Sequence, residues 1–463
     1  MANFAKSNVP RFSIDVYQNE YLPQSAGEVN AIVTVTSTGG GTTGGRPLPA
    51  SERWGHLPGP QGPGGSAGGG AHAAVVIMVD CSGSMDYPPT KMRGARQATE
   101  AAIDTLRDGV AFAVIAGTHK AVEIYPGDGQ LALASNETRA DARQALRRLT
   151  PSGGTAIGTW LRLAERLFGS SNAEIRHGIL LTDGRNEHEE PEKLREALDA
   201  CAGRFTCDAR GVGTDWEVRE VTGIASALLG TADIVAEPDG LAADFTAMME
   251  TAMGKEVGDV SLRLWTPQGA EVQFVKQVAP AVEDLTGRRT ESPPRSGDYP
   301  TGSWGDESRD YHVCVRVPTA EVGHEMLAAR VALVIREPAA PAGPPATTLG
   351  QGLIRAVWTD DLAASTRINS QVAHYTGQAE LADAIQEGLQ LRKDGDVEGA
   401  TARLGRAVQL AHESGNGDTA KLLAKVVDVE DAAGGTVRLK ARVTEADEMT
   451  LETRSTKTVR VKK

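Results

Sequence analysis

Aromatic residues are scarce in this chain, with seven Phe, seven Tyr and six Trp among 463 residues. Its cores must therefore be assembled from Val, Leu, Ile and Ala. Cysteine is scarcer still, at four residues. None stands in Cys-x-x-Cys spacing, which argues against zinc. Cys81 follows an aspartate, Cys201 ends a helix-like segment, and Cys207 and Cys314 fall in strand-like ones. All four read as small buried hydrophobes. No apolar run reaches the ~18 residues that a bilayer span requires. The first residues, Met1-Ala2-Asn3-Phe4-Ala5-Lys6, contain no apolar core of an export signal, so the chain is expected in the cytoplasm. Positive charge is also short: 48 Lys and Arg against 61 Asp and Glu leave a net charge of −13. That balance disfavours nucleic acid or an anionic membrane as partner.

Against this background, the six apolar residues Ala74 to Val79 stand out. They read as a strand buried on both faces, as in a parallel sheet. The strand ends on Asp80, with hydroxyls following at Ser82 and Ser84. In open α/β sheets ligands sit beyond the carboxyl ends of strands, and these oxygen donors suit Mg²⁺, Mn²⁺ or Ca²⁺ rather than Zn²⁺. Taken alone, Asp-x-Ser-x-Ser reads equally well as a serine turn capping the next helix. Two later segments bear on that choice. Pro151 to Gly158 is a glycine-rich loop presenting Thr155 at a helix start, and Arg176 to Gly184 is a second buried strand ending on Asp183.

In this order, the three pieces resemble the metal-ion-dependent adhesion site of a von Willebrand factor A domain. Asp80, Ser82, Ser84, Thr155 and Asp183 fill its five positions. The resemblance implies a Rossmann-like, doubly wound, mostly parallel sheet and a bound Mg²⁺ (or Mn²⁺ or Ca²⁺). It also implies a partner protein whose Asp or Glu carboxylate completes the ion's shell, and a threonine loop able to shift. With two anions and three neutral hydroxyls in the set, the ion keeps at least one position filled by water that a partner carboxylate could displace. Gly83 permits the tight turn between the serines, and Gly153 and Gly154 let the loop come close. The alternative is a metal that only stabilises the domain. Glu187, Glu189, Glu190 and Glu192 read as acids favouring a helix dipole. His119, His177 and His188 have no partner at ligand spacing and read as packing or surface residues.

Around this core the chain divides as follows. Residues 1–38 hold alternating strands, and 39–70 is a Gly/Pro-rich linker. Residues 71–255 alternate strand and helix. Residues 256–340 return to period two and read as the rest of an antiparallel sandwich. Shared with the first strands, that sandwich would have the A domain inserted in it. Residues 341–435, after the Pro338–Pro345 linker, add a strand over 353–359 and a tetratricopeptide-like helical hairpin turning at Gly395-Asp396, with a third helix at Leu422 to Val427. Residues 436–463 form a basic, Thr-rich tail with too little hydrophobicity to fold alone.

The layout resembles bacterial cytoplasmic A-domain proteins with a trailing sandwich and helical region, which implies a non-enzymatic binding module. Two other readings stay open: an adaptor of an AAA ATPase, and a metal-dependent phosphohydrolase using Asp80. The second lacks a nearby general base and a phosphate-binding Gly-x-x-x-x-Gly-Lys-Ser/Thr loop. In the tail, Thr450, Thr453, Thr456 and Thr458 are candidate phosphorylation sites for a Ser/Thr kinase. Thr456 and Thr458 each have a valine three residues on, a spacing that resembles targets of forkhead-associated (FHA) domains.

Overall fold

The computed structural model describes residues 10–38, 72–236, 240–292, 294–335 and 346–461. Both expected linkers, 39–70 and Pro338–Pro345, lie outside the described residues. The chain forms two compact units that alternate along the sequence. One takes residues up to Arg11, Ser37–Asp259 and Gly302–Asp306; the other takes Phe12–Thr36, Val260–Thr301 and everything from Glu307.

Three strands come first, β1 (Arg11–Gln18), β2 (Tyr21–Leu22) and β3 (Glu28–Thr38). The first unit then runs β4 (Ala73–Asp80), α1 (Thr90–Thr105), β5 (Ala111–Gly117), β6 (Ala121–Tyr125), β7 (Ala132–Leu133), α2 (Asn136–Arg147) and α3 (Ile157–Gly169). It continues with β8 (Ile175–Thr182), α4 (Pro191–Cys201), β9 (Thr206–Val212), α5 (Val218–Ala227), β10 (Ala232–Val235) and α6 (Leu241–Met253). The sheet order is β10-β9-β8-β4-β5-β6, with β7 also on β5. Pairing is parallel from β10 to β5 and antiparallel for β6 and β7. Central β4 is buried from Ala74 to Asp80. Its Val75, Ile77 and Val79 share a core with Met92, Ala95, Ala98 and Ile103 of α1 and Leu241, Phe245 and Met249 of α6. Small residues at Ala95 and Ala98 let α1 lie close to the sheet. The chain leaves β4 for β5 on one side and later returns to β8 on the other. This reversal opens a crevice at the carboxyl ends of β4 and β8.

The second unit adds β11 (Val257–Trp265), β12 (Glu271–Ala279), β13 (Glu283–Asp284), β14 (Thr290–Ser292), β15 (Ser296–Trp304), β16 (Glu307–Arg316), β17 (Glu325–Ile335) and β18 (Thr347–Trp358). One sheet has the order β1-β3-β16-β12-β13 and the other β14-β15-β11-β17-β18-β2. The early strands thus pair with late ones. The sheets press together at Gly352, where a Cβ would stand 2.7 Å from Val16 Cγ2.

Helices follow: α7 (Leu362–Ser365), α8 (Ser370–Lys393), α9 (Val397–Glu413) and α10 (Gly417–Val426). Leu381, Ile385 and Leu389 of α8 pack on Leu404, Ala407 and Val408 of α9. The turn between them needs Gly395 at φ +82, and Asp396 caps α9 by accepting from Gly399 N at 2.9 Å.

The tail is not the open segment its composition predicts. β19 (Val427–Asp431) and β20 (Thr436–Leu439) form a hairpin, and α11 (Glu445–Arg454) follows. Met449 and Leu451 of α11 are buried. Beyond it the backbone is tied down: Val282 N donates to Thr456 O at 2.8 Å and Thr458 N to Pro280 O at 3.0 Å. Arg460 clamps Asp310 with Nε at 2.8 Å from Oδ2 and Nη2 at 2.7 Å from Oδ1. Asp310, 1% exposed, also accepts from Thr34 Oγ1 at 2.6 Å and from the Tyr375 hydroxyl. These groups border a cleft of about 230 Å³. These hydrogen bonds and the Arg460–Asp310 ion pair do not register in a hydrophobicity count.

Candidate metal centre

β4 brings Asp80 to the crevice, and the chain turns at once into a short 3₁₀ segment, Gly83–Asp86. That turn folds both serines back over the strand end. Ser82 N donates to Asp80 Oδ1 at 2.8 Å, and Thr182 Oγ1, from the end of β8, donates to Oδ2 at 2.6 Å. Ser82 Oγ and Ser84 Oγ are 2.9 Å apart, and Ser84 Oγ donates to Asp183 Oδ1 at 2.7 Å. A Cβ on Gly184 would lie 3.2 Å from Ser84 Oγ and 3.6 Å from Thr155 Oγ1, so Thr155 reaches the same spot from its own loop. Asp80 and Asp183 are fully buried, whereas Ser84 is exposed. The cluster therefore has an anionic floor and a hydroxyl rim open to solvent.

The glycine loop is stitched to the serine turn through the backbone: Gly83 N donates to Gly153 O at 2.9 Å and Ser152 N to Cys81 O at 2.8 Å. Gly153 takes φ +73, and a Cβ there would stand 2.6 Å from His119 Nδ1. A Cβ on Gly154 would stand 2.2 Å from His188. His188 also accepts from Thr155 N at 3.3 Å through Nδ1 and donates its own N–H to Thr155 O at 3.0 Å. His119 and His188 therefore shape the loop that carries Thr155. Asn186 Oδ1 accepts from Ile157 N at 2.7 Å and Glu189 Oε2 from Gly158 N at 2.8 Å. Glu189 thus satisfies the start of α3, not that of α4, which follows it in sequence. Trp160 Nε1 donates to Thr118 O at 2.7 Å. Its ring lies over Gly117, where a Cβ would come within 2.3 Å of it.

Two further residues had no place in the sequence-based site. Lys91 Nζ is 2.8 Å from Asp183 Oδ2 and 2.8 Å from Asp215 Oδ2. One local signal pointed to it, since a lysine in the first turn of a helix opposes the helix dipole. Burial works against the Lys91 ammonium, but its two carboxylate contacts prevail and hold its pKa above the usual lysine value. Burial pushes the Asp80 carboxyl up to about 6, against the hydrogen bonds from Ser82 and Thr182. Burial, with Asp80 beside it, also pushes the Cys81 thiol up to about 12, so this cysteine stays protonated and unreactive.

Two acidic groups and three hydroxyls make a donor set for a hard divalent cation. Among the described residues no three His, Cys, Asp or Glu gather as a metal site, so the hydroxyls are essential to any such site.

Residues 73–234 match the model of the von Willebrand factor type A domain, and 409–455 that of the von Willebrand factor type A C-terminal domain. The second match runs through the β19–β20 hairpin and α11, which the sequence reading did not expect. No curated protein matches. Among solved structures, the chain is similar to the ArnB paralog VWA2 from Sulfolobus acidocaldarius, at 14% identity over 96% of this chain and 98% of that one, TM-score 0.58. This is a likeness of fold alone. It is also similar to a von Willebrand factor type A protein from Catenulispora acidiphila, at 49% identity over 99% of both chains, TM-score 0.88. With that identity over its whole length, the chain belongs to the von Willebrand factor type A family.

Proposed function

We propose that the first unit is a metal-dependent protein-binding module, non-enzymatic, in which Asp80, Ser82, Ser84, Thr155 and Asp183 hold one Mg²⁺ or a similar divalent ion. The observation that carries this is the convergence of Ser82, Ser84 and Asp183 in one hydrogen-bonded chain, with Thr155 beside it. When bound, the ion supplies a Lewis-acidic point that an Asp or Glu side chain of a partner protein can ligate. The chain's own residues do the rest. Asp80 orients the serine turn through the Ser82 amide, Asp183 accepts from the Ser84 hydroxyl, and His188 holds the Thr155 loop. The open rim at Ser84 is where a partner carboxylate can approach.

We place the protein in the cytoplasm, in keeping with four free, buried cysteines. No helix among the described residues is long and apolar enough to cross a membrane. Of the four tail threonines, Thr453 is buried, and the hydroxyls of Thr450 and Thr458 donate to Ala446 O and Val278 O, both at 2.6 Å; the phosphorylation proposal therefore rests on half-buried Thr456.

Titration calorimetry with Mg²⁺ and Mn²⁺ tests the proposal. Wild type should take up one ion, and Asp80→Ala or Ser84→Ala should bind at least about tenfold more weakly. Equal uptake by wild type and Asp80→Ala would overturn it.

A further inference from the structure

Lys91 is badly placed for an ordinary surface lysine. It sits in the first turn of α1, where a helix disfavours a cation, and it is 6% exposed. Its ammonium lies between two unlike carboxylates. Asp183 is fully buried, whereas the side chain of Asp215 is 68% exposed. Both oxygens of Asp183 are thereby committed, Oδ1 to Ser84 and Oδ2 to Lys91.

We propose that Lys91 is the internal counter-charge of the cation site, weakening cation binding by offsetting Asp183, and that Asp215 sets how much of that charge Asp183 feels. This rests on the metal-site reading above. Asp80 and Asp183 alone carry the charge of a divalent ion in reverse. With Lys91 in contact, the set is less anionic, so a cation is held less tightly and exchanges more readily. The Lys91 ammonium is shared, and Asp215 draws part of its field away from Asp183. Neutralising Asp215 concentrates the positive charge on Asp183, while removing Lys91 releases it. The two substitutions therefore have opposite signs, which a purely structural role for the Lys91 bridge does not produce.

The test is Mn²⁺ titration calorimetry on the full chain, for wild type, Lys91→Met, Lys91→Arg and Asp215→Asn, with circular dichroism as the check on folding. Lys91→Met should bind Mn²⁺ about tenfold or more tightly than wild type. Asp215→Asn should bind severalfold more weakly, and Lys91→Arg, which keeps the charge, should stay near wild type. A folded Lys91→Met that binds Mn²⁺ equally or more weakly overturns the proposal. If Lys91→Met does not fold, Asp215→Asn decides, and unchanged or tighter binding by that variant overturns it. Uptake by wild type that no variant alters refutes the counter-charge alone. Failure of wild type to take up Mn²⁺ refutes the site reading and this proposal together.

Discussion

Tyr375 and Asp310 offer a test in which one substitution should change sign with its background. Tyr375 is fully buried, and its hydroxyl donates to Asp310, which is 1% exposed. In wild type, Tyr375→Phe removes one of four donors to a buried carboxylate, which costs about 1.5–3 kcal/mol for a hydrogen bond to a charged group. Asp310→Leu is the second perturbation. Leucine is preferred to alanine because alanine would admit water from the adjoining cleft, whereas the cleft can accommodate leucine's extra volume. The Arg460 side chain is 43% exposed and turns to solvent at little cost. The hydroxyls of Tyr375 and Thr34 lose their acceptor, at about 1–3 kcal/mol each, so Asp310→Leu should cost about 3 kcal/mol. In that background the Tyr375 hydroxyl has lost its acceptor, and deleting it should stabilise the protein by about 1 kcal/mol. Urea denaturation of the four proteins in the cycle measures this. If Tyr375→Phe destabilises to the same extent in both backgrounds, Asp310 is not the acceptor that makes this hydroxyl matter.

Three other outcomes are expected. Gly117→Ala drives a methyl into Trp160, an overpacking worth about 1–3 kcal/mol. Because Trp160 anchors the helix that starts just after Thr155, Mn²⁺ affinity should fall with the melting temperature; an unchanged melting temperature would speak against the contact. Asn186→Ala removes the acceptor of Ile157 N and should cost about 1 kcal/mol, read from urea denaturation, with looser metal binding alongside. His312 is held neutral, its pKa lowered by burial and by Lys276 to about 4 from 6.5. The unfolded chain takes up its proton first as pH falls, so stability is full above 6.5 and declines by about 3 kcal/mol as pH drops toward 4. In His312→Gln, stability measured by urea denaturation from pH 7 to 4 should lose that part of the slope.

The α/β unit could be read because two of its strands, β4 and β8, carry apolar runs with an aspartate at the end, Asp80 and Asp183, and because Pro191 marks a helix start. The five residues of the candidate site could be proposed from three short motifs, two at the ends of β4 and β8 and one in the glycine loop before α3. Lys91 could not be placed, because its partners are 92 and 124 residues away and only the unfavourable helix position hinted at them. β15 escaped for a related reason. Its buried Asp298 is neutralised sideways by Arg263, with Nε at 2.7 Å and Nη2 at 2.9 Å, so no apolar alternation marks the strand. The tail was misjudged because its anchors lie in segments far upstream: Val278, Pro280, Val282, Asp310, and His374, whose Nε2 is 2.8 Å from Val459 O. Glu189 was assigned the right kind of task on the wrong helix, since the loop after β8 folds back to α3.

The pairing of β3 with β16 has a consequence during synthesis. Thr34 and Asp310, hydrogen-bonded in the finished protein, are 276 residues apart. On the ribosome β3 emerges long before β16, its partner on one side, while the whole α/β unit is made and can collapse behind it. For that interval Val29, Ile32, Val33 and Val35, all buried in the end, are an unpaired edge of the kind that invites aggregation. Nascent chains stalled before residue 307 should therefore engage holdase chaperones through this first hairpin and release them once β16 has cleared the exit tunnel.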